Sequence, residues 1–247
     1  MFRRFFTKRR KMSQRLNGYG QPIGPALEGW SARPLPPDSP LTGRYCRIEK
    51  LDAERHAEDL FAAHTYTGDG RDWTYLPVGP FETLAEFSAH LGQIATTRDP
   101  LHYAIVDLET GKPVGSSAYM RIDPANGAIE IGHVRYSRRL MRTRAGTEAM
   151  YLLMHRAFDE LGYRRYEWKC DALNAASRRA AERYGFTFEG IFRQAIVVKG
   201  RSRDTAWFSI IDREWPRVRA GFEAWLSPDN FAADGRQRLS LAELRGA

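Results

Sequence analysis

The chain has 247 residues, 43% of them hydrophobic and 12% aromatic, ample for a packed core in one or two domains. No apolar run approaches the length that spans a bilayer or the apolar stretch of a secretory signal. The net charge of +8 invites a nucleic-acid reading, but residues 1–11 alone carry Arg3, Arg4, Lys8, Arg9, Arg10 and Lys11 without an acid, so the rest is close to +2.

That basic run reads as a disordered arm. An anionic-surface anchor through Phe2, Phe5 and Phe6, or a leader ahead of a start at Met12, are the alternatives. Residues 12–41 are rich in Pro and Gly and continue as an extended arm anchored by Trp30, so the arm covers 1–41. A core domain is expected over 42–226 and a peripheral extension over 227–247, with a short helix near residues 239–244.

Within the core, residues 45–51 alternate polar and apolar, which predicts a strand. Asp52 caps a helix from Ala53 to about His64. Residues 65–81 form a loop loaded with Tyr66, Trp73, Tyr75 and Phe81. Thr83 caps a second helix with Leu84, Phe87, Leu91 and Ile94 on one face. Residues 101–108 and 113–122 read as strands around a tight turn at 109–112. Asn126 and Gly127 are a hairpin signal leading into a strand over Ala128–Tyr136. After a basic loop, a long helix is expected from about Arg144 to Leu161, stopped by Gly162. Residues 166–170 form a strand that pairs in parallel with Ala128–Tyr136, because a helix separates them, and the crossover is right-handed. A helix over Ala175–Tyr184, a hairpin of 186–199 and 205–212 around residues 200–203, and a helix over 213–226 complete the domain. The fold class is mixed α/β: a central, mostly antiparallel sheet with one parallel strand–helix–strand unit and helices on both faces.

Cys46 and Cys170 both fall in predicted strands, as buried hydrophobes of a reducing cytosol rather than a disulfide or metal pair. His56, His64, His90, His102 and His155 have no ligand spacing, so no metal is expected. The chemistry-bearing stretch is 138–147. It places Arg138, Arg139, Arg142 and Arg144 before a helix whose first amides are unpaired and whose dipole is positive, with Ala145, Gly146 and Thr147 at the turn. A phosphate would suit that end; a solvated basic loop is the alternative.

Four segments carry a family resemblance. They are Ile129, Glu130, Ile131, Gly132 and His133; Ala145, Gly146, Thr147, Glu148 and Ala149; Leu161, Gly162, Tyr163, Arg164 and Arg165; and Asn174, Ala175, Ala176 and Ser177 leading to Gly185 and Phe186. Over residues 42–215 the chain resembles the GNAT superfamily of acyl-CoA-dependent N-acetyltransferases. Within it, it resembles the ribosomal-protein-alanine acetyltransferase-like branch, as do Tyr75, Leu76, Pro77, Gly79, Pro80 and Phe81, and Lys199, Gly200 and Arg201. The resemblance implies a GNAT-like fold and acetyl-CoA as acyl-donor cosubstrate. It implies that Val134, Arg135 and Tyr136 end a splayed strand that pairs with the pantetheine amides. Arg142, Thr143, Arg144, Ala145, Gly146 and Thr147 would cradle pyrophosphate. Asn174 would bond the pantetheine arm, Ser177 would sit near the thiol, and the loop with Trp73, Tyr75 and Phe81 would wall the acceptor pocket. Arg178 or Arg179 would touch the adenosine 3′-phosphate.

Two departures from the family pattern stand out. The central Gly of the phosphate loop is here Arg144. A Tyr that many members place four residues before the Gly of Gly–Phe is here Ala181, so proton return falls to Ser177 or water. A backbone N–H near Val134 would polarise the thioester carbonyl. Glu130 and His133 are the candidate bases. Three apart on a strand, they face opposite sides, so one at most looks into the cleft. Glu130 is preferred on the resemblance, its alternative being a paired carboxylate; His133 reads as a core histidine.

The expected activity is acetyl transfer from acetyl-CoA to a primary amine, on a protein N-terminus or a small molecule, by direct attack in a ternary complex. A CoA-binding or interaction module without turnover is the alternative from another class, and nucleic-acid or ribosome contact through the basic arm is a third. A cytoplasmic monomer or homodimer without a transmembrane segment is expected.

Overall fold

The computed structural model describes residues 15–65 and 69–246. The basic run 1–11, Met12 and Tyr66 lie outside the described residues. The chain divides into two compact units, Met1–Ser31 and Ala32–Ala247. In the first, β1 (Arg15–Leu16) and β2 (Pro22–Ile23) form an antiparallel ribbon. Its turn is held by Asn17 Oδ1, which accepts from the backbone N–H of Tyr19 and Gln21.

The second unit is built on one eight-stranded sheet. Its strands are β3 (Leu41–Thr42), β4 (Cys46–Lys50), β5 (Leu101–Asp107), β6 (Pro113–Asp123), β7 (Ala128–Tyr136), β8 (Arg165–Asp171), β9 (Thr187–Val198) and β10 (Arg201–Ile211), in the spatial order β3-β4-β5-β6-β7-β8-β10-β9. Every pairing is antiparallel except β7 with β8. The exception follows from connectivity: a helix, α3 (Arg144–His155), lies between those two strands, and a crossover can only return the chain in parallel.

Alternation along the strands sends two sets of side chains to two faces. Leu101, Tyr103 and Ile105 of β5 join the larger core with α3, α4 (Ala175–Tyr184) and α5 (Trp215–Leu226), whereas Ala104 joins a smaller core with α1 (Ala53–Thr65), α2 (Leu84–Ala95) and Trp73. Helix starts follow the capping logic. Thr83 and Glu86 form a reciprocal capping box on α2, and Asn174 caps α4. The long helix differs from expectation: α3 ends at His155 and passes into a π-helical turn, Arg156–Glu160, before Gly162. The last hairpin also differs. Its turn is the two residues Lys199 and Gly200, both left-handed, rather than residues 200–203, because a two-residue turn of that hand matches the twist of the strands.

Two segments beyond the sheet are fastened to it. In 33–40, the Arg33 N–H donates to Pro124 O, Tyr163 Oη to Pro34 O and Arg156 Nη1 to Ser39 O. After α5, Asn230 bonds Trp225 O and Leu239, and α6 (Leu241–Leu244) buries Leu241. One buried carboxylate was not foreseen. Glu148 of α3 accepts from the backbone N–H of Arg44 (2.8 Å), Tyr45 (2.6 Å) and Cys46 (2.9 Å), locking the start of β4 to the helix. Gly43 makes room for it; a Cβ there would lie 2.3 Å from the carboxyl carbon.

Candidate active site

β7 and β8 pair from Ala128 and Arg165 to Ile131 and Trp168, and no further. Beyond that, β7 continues against β6 and β8 continues against β10, so the central strands open into a wedge at their C-terminal ends. The opening has a local cause. At a β-bulge, His133 and Val134 of β7 oppose the single residue Ser117 of β6, and His133 is left-handed, with φ 48°. Because α3 and α4 each follow one of the parallel strands, their N-termini gather at the wedge, where ligands of such sheets bind.

At the start of α3, Thr143 is the cap. Its Oγ1 accepts from Gly146 N–H, and its carbonyl accepts from Thr147 N–H and Oγ1. Gly146 is buried, needed because a Cβ would lie 2.5 Å from Leu140 O. Thr147 Oγ1 also accepts from Arg183 Nη1. The N–H groups of Gly146 and Thr147 and the Thr147 hydroxyl are thus spent on hydrogen bonds within the protein rather than opened to a ligand. Among the described residues, the first-turn donors left over are the amides of Arg144 and Ala145. Arg142, Thr143 and Arg144 instead line a cleft of about 620 Å³, closed by Trp225, Phe231, Gly235, Arg236 and Gln237 from the C-terminal part. Arg144 lies flat on Phe231, 3.9 Å from the ring centre, and neither Arg142 nor Arg144 has an ion pair among the described residues. Sequence reasoning missed this far wall, since it treated 227–247 as peripheral.

At the start of α4, Asn174 Oδ1 accepts from Ser177 N–H, and Ser177 Oγ accepts from Trp168 Nε1 at 3.0 Å. Tyr75 Oη reaches the carbonyl of Leu173 at 3.3 Å, linking the aromatic loop to this turn. Ala181 is fully buried, and Tyr184 turns inward to stack on Phe222. Glu130 is 3% exposed. Its Oε2 accepts from Arg121 Nη1 at 2.7 Å and lies 2.8 Å from Lys169 Nζ, which also pairs with Glu167 and sits over Trp207.

The aromatic loop is half core, half wall. Trp73 is buried edge-on to Phe81 and Phe87, and Phe81 stacks on His90. The β9–β10 turn clasps the loop: Lys199 Nζ donates to the carbonyls of Trp73 and Gly79, and Arg201 Nη2 donates to that of Thr74. Between them lies a cleft of about 370 Å³ lined by Gly70, Trp73, Thr74, Pro80, Lys199 and Arg201.

The bulge corrects one expectation. Val134 and Tyr136 pack on the larger core with Ile129 and Ile131. His133 lies 5.1 Å from His102, the β5 neighbour of Ala104, and Arg135 lies over Trp73 of the smaller core. One extra residue has shifted the alternation, so Glu130, His133 and Arg135 share one face instead of Glu130 and His133 opposing each other. Burial, and then the charge of Arg135, hold His64 down to about 3, and His133 and His90 below their usual range. Burial and then His133 hold His102 down to about 3. Burial lowers Arg135 to about 10, which leaves it charged at neutral pH. Among the described residues, no group of three or more His, Cys, Asp or Glu could hold a metal, and no helix is long and apolar enough to cross a membrane.

The acetyltransferase (GNAT) domain family matches residues 47–187. The solved structure of a GCN5-related N-acetyltransferase from Brucella melitensis is 49% identical, with a TM-score of 0.88, over 90% of this chain and 100% of that one. A Bacillus licheniformis N-acetyltransferase, p20, itself uncharacterized, is 26% identical over 161 residues, 64% of this chain and 90% of its own. YdaF of Bacillus subtilis, whose name puts forward ribosomal N-acetylation, is 31% identical over 108 residues, 44% of this chain and 58% of its own.

Proposed function

The chain belongs to the GNAT acetyltransferase family, and on that premise we propose that it transfers an acetyl group from acetyl-CoA to a primary amine, by direct attack in a ternary complex. The observation that carries the reading is the wedge between β7 and β8 with two helix N-termini at its mouth. Acetyl-CoA fits the residues present: Arg142, Arg144 and Arg236 line a cleft that suits a nucleotide's phosphates, and the unpaired edge of β7 beyond Ile131 suits an amide-bearing arm. When bound, the donor supplies an activated acetyl carbon. The Arg144 and Ala145 amides would hold its diphosphate, and the backbone around His133 and Val134 would polarise its carbonyl.

Direct attack is favoured because neither cysteine is a good nucleophile. Cys46 and Cys170 are buried, and burial raises both thiols. Glu130 would take the amine proton through Oε1 or one water, since Oε2 is occupied, and Ser177 would return a proton to the leaving thiolate. The acceptor is a protein N-terminus or a small amine; the name of YdaF puts ribosomal N-acetylation forward for that protein.

Calorimetric titration with CoA and acetyl-CoA, followed by thiol release over a panel of peptide N-termini and small amines, tests the reading. Donor uptake and amine-dependent thiol release are expected; folded protein that takes up no donor refutes it. The paired Glu130 and the apolar Ala181 favour one second reading, a donor-binding module without turnover. Uptake with no thiol release for any amine would decide for that module.

A further inference from the structure

Arg135 is a buried guanidinium with no ion-pair partner among the described residues, and its Nε has no hydrogen-bond partner. It lies 4.6 Å from the ring centre of Trp73 and 5.8 Å from that of Phe87. Its charge is felt by four imidazoles, three from other elements, His64 of α1, His90 of α2 and His102 of β5, and one from its own strand, His133. Trp73 itself is packed among them, 5.9 Å from His64. The nearby carboxylate on this face, Glu130, is already held by Arg121 and Lys169.

Such a cation is expensive. Removing a charge from water costs more than stacking on aromatic faces returns. Structural arginines in cores are ordinarily paired with a carboxylate, as the buried Arg156 is with Glu160 here. Arg135 has a planar fork of donors that matches a carboxylate or phosphate, and no anion pairs with it among the described residues. Its position adds the functional link. It lies on β7 two residues beyond the bulge residue His133 and four past the last pair with β8, on the same face as Glu130.

We infer that Arg135 receives an anionic oxygen group of the acceptor, so that the amine acetylated belongs to a molecule carrying a carboxylate or phosphate close to it. This rests on the acetyltransfer reading above, of which it specifies the acceptor class.

The test compares wild type with Arg135→Met, which keeps the length and the packing on Trp73 but loses the charge. Thermal melts are followed against sodium acetate and, separately, sodium phosphate, at ionic strength held constant with sodium chloride. Saturable stabilisation of the wild type by at least one anion, lost in Arg135→Met, is expected; which salt acts tells carboxylate from phosphate. Should Arg135→Met not fold, Arg135→Lys keeps the charge without the fork and should weaken the effect at least fivefold. In turnover, acceptors paired with analogues lacking the anion should differ at least tenfold in kcat/KM in the wild type and by less than twofold in the variant, with the donor KM unchanged. No saturable anion effect in the wild type, an equal effect in the variant, or a preference for the neutral acceptors overturns the assignment. A parallel acetyl-CoA titration separates the two failures: lost donor binding in the wild type sinks the acetyltransferase reading, whereas intact donor binding without an anion effect sinks only the role of Arg135.

Discussion

Lowering the pH from 7 to 5 should destabilise this protein well before its carboxylates titrate. His64 and His102 have folded values near 3, against about 6.5 in an unfolded chain. A group whose folded value lies below its unfolded one takes up its proton only on unfolding. Stability is therefore full above about 6.5, falls as pH drops through that value, and levels off near 3. At pH 5 each histidine has shed at most about 2 kcal/mol, and the pair about 4 kcal/mol, a large part of the roughly 5–15 kcal/mol that holds an ordinary domain. His90 and His133 shift in the same direction and steepen the loss. Carboxylates held down by their partners, such as Glu189 by its hydrogen bond to Arg165 and Asp38 by Lys50, contribute only below about 4.5, so the window from 7 to 5 isolates the histidines. Urea denaturation followed by tryptophan fluorescence at pH 7, 6 and 5 and fixed ionic strength measures the slope. His102→Asn should flatten it by about half. A stability that stays level between pH 7 and 5, or a slope identical in the variant, would refute the burial argument for the cluster.

Three further outcomes follow from named contacts. Glu148→Gln leaves one acceptor for three backbone N–H groups and should cost about 3 kcal/mol, a melting temperature lower by roughly 10 °C, which calorimetry would detect. Glu130→Gln should lower turnover about 100-fold while donor affinity stays within about twofold, circular dichroism confirming the fold; unchanged turnover removes Glu130 as base. Arg144→Ala and Phe231→Leu should each weaken CoA binding roughly tenfold, about 1.4 kcal/mol, without affecting acetyl-pantetheine. Equal losses for both donors would show that the cleft of about 620 Å³ does not hold the nucleotide end.

Local signals made most of the scaffold legible. Period-two alternation marked β4, the Asn126 and Gly127 pair marked the hairpin into β7, and Asp52 and Thr83 marked helix starts, because each rests on chemistry within a few residues of itself. The parallel β7–β8 pair followed from counting one helix between two strands. What escaped depends on contacts distant in sequence. The far wall of the basic cleft comes from residues 225–237, some eighty positions beyond Arg144, and nothing in their composition signals it. Glu148 looked like one residue of a helix opening, yet its partners lie about a hundred positions upstream.

The face shared by Glu130, His133 and Arg135 escaped for a different reason. Among the described residues, three strand residues other than glycine are left-handed: Arg121, His133 and Gln194. All three lie at irregularities in strand register; Arg and Gln do not favour that conformation, and His, though enriched in it, is too common elsewhere to mark a position. Two are propped by a carboxylate from another segment. Asp99 accepts from the N–H of Arg121 and Ile122, and Asp204 accepts from that of Gln194. No side chain among the described residues does this for His133. A left-handed residue other than glycine costs of order 1 kcal/mol or more and persists only when something else requires it. At Arg121 the return is visible in the ion pair with Glu130. At His133 it is the wedge itself: the extra residue turns β7 away from β8 and carries Arg135 round to the face of Glu130. The unpropped bulge is therefore where a donor's carbonyl would meet backbone N–H groups, and the displaced alternation is what would bring base, bulge and guanidinium to one acceptor.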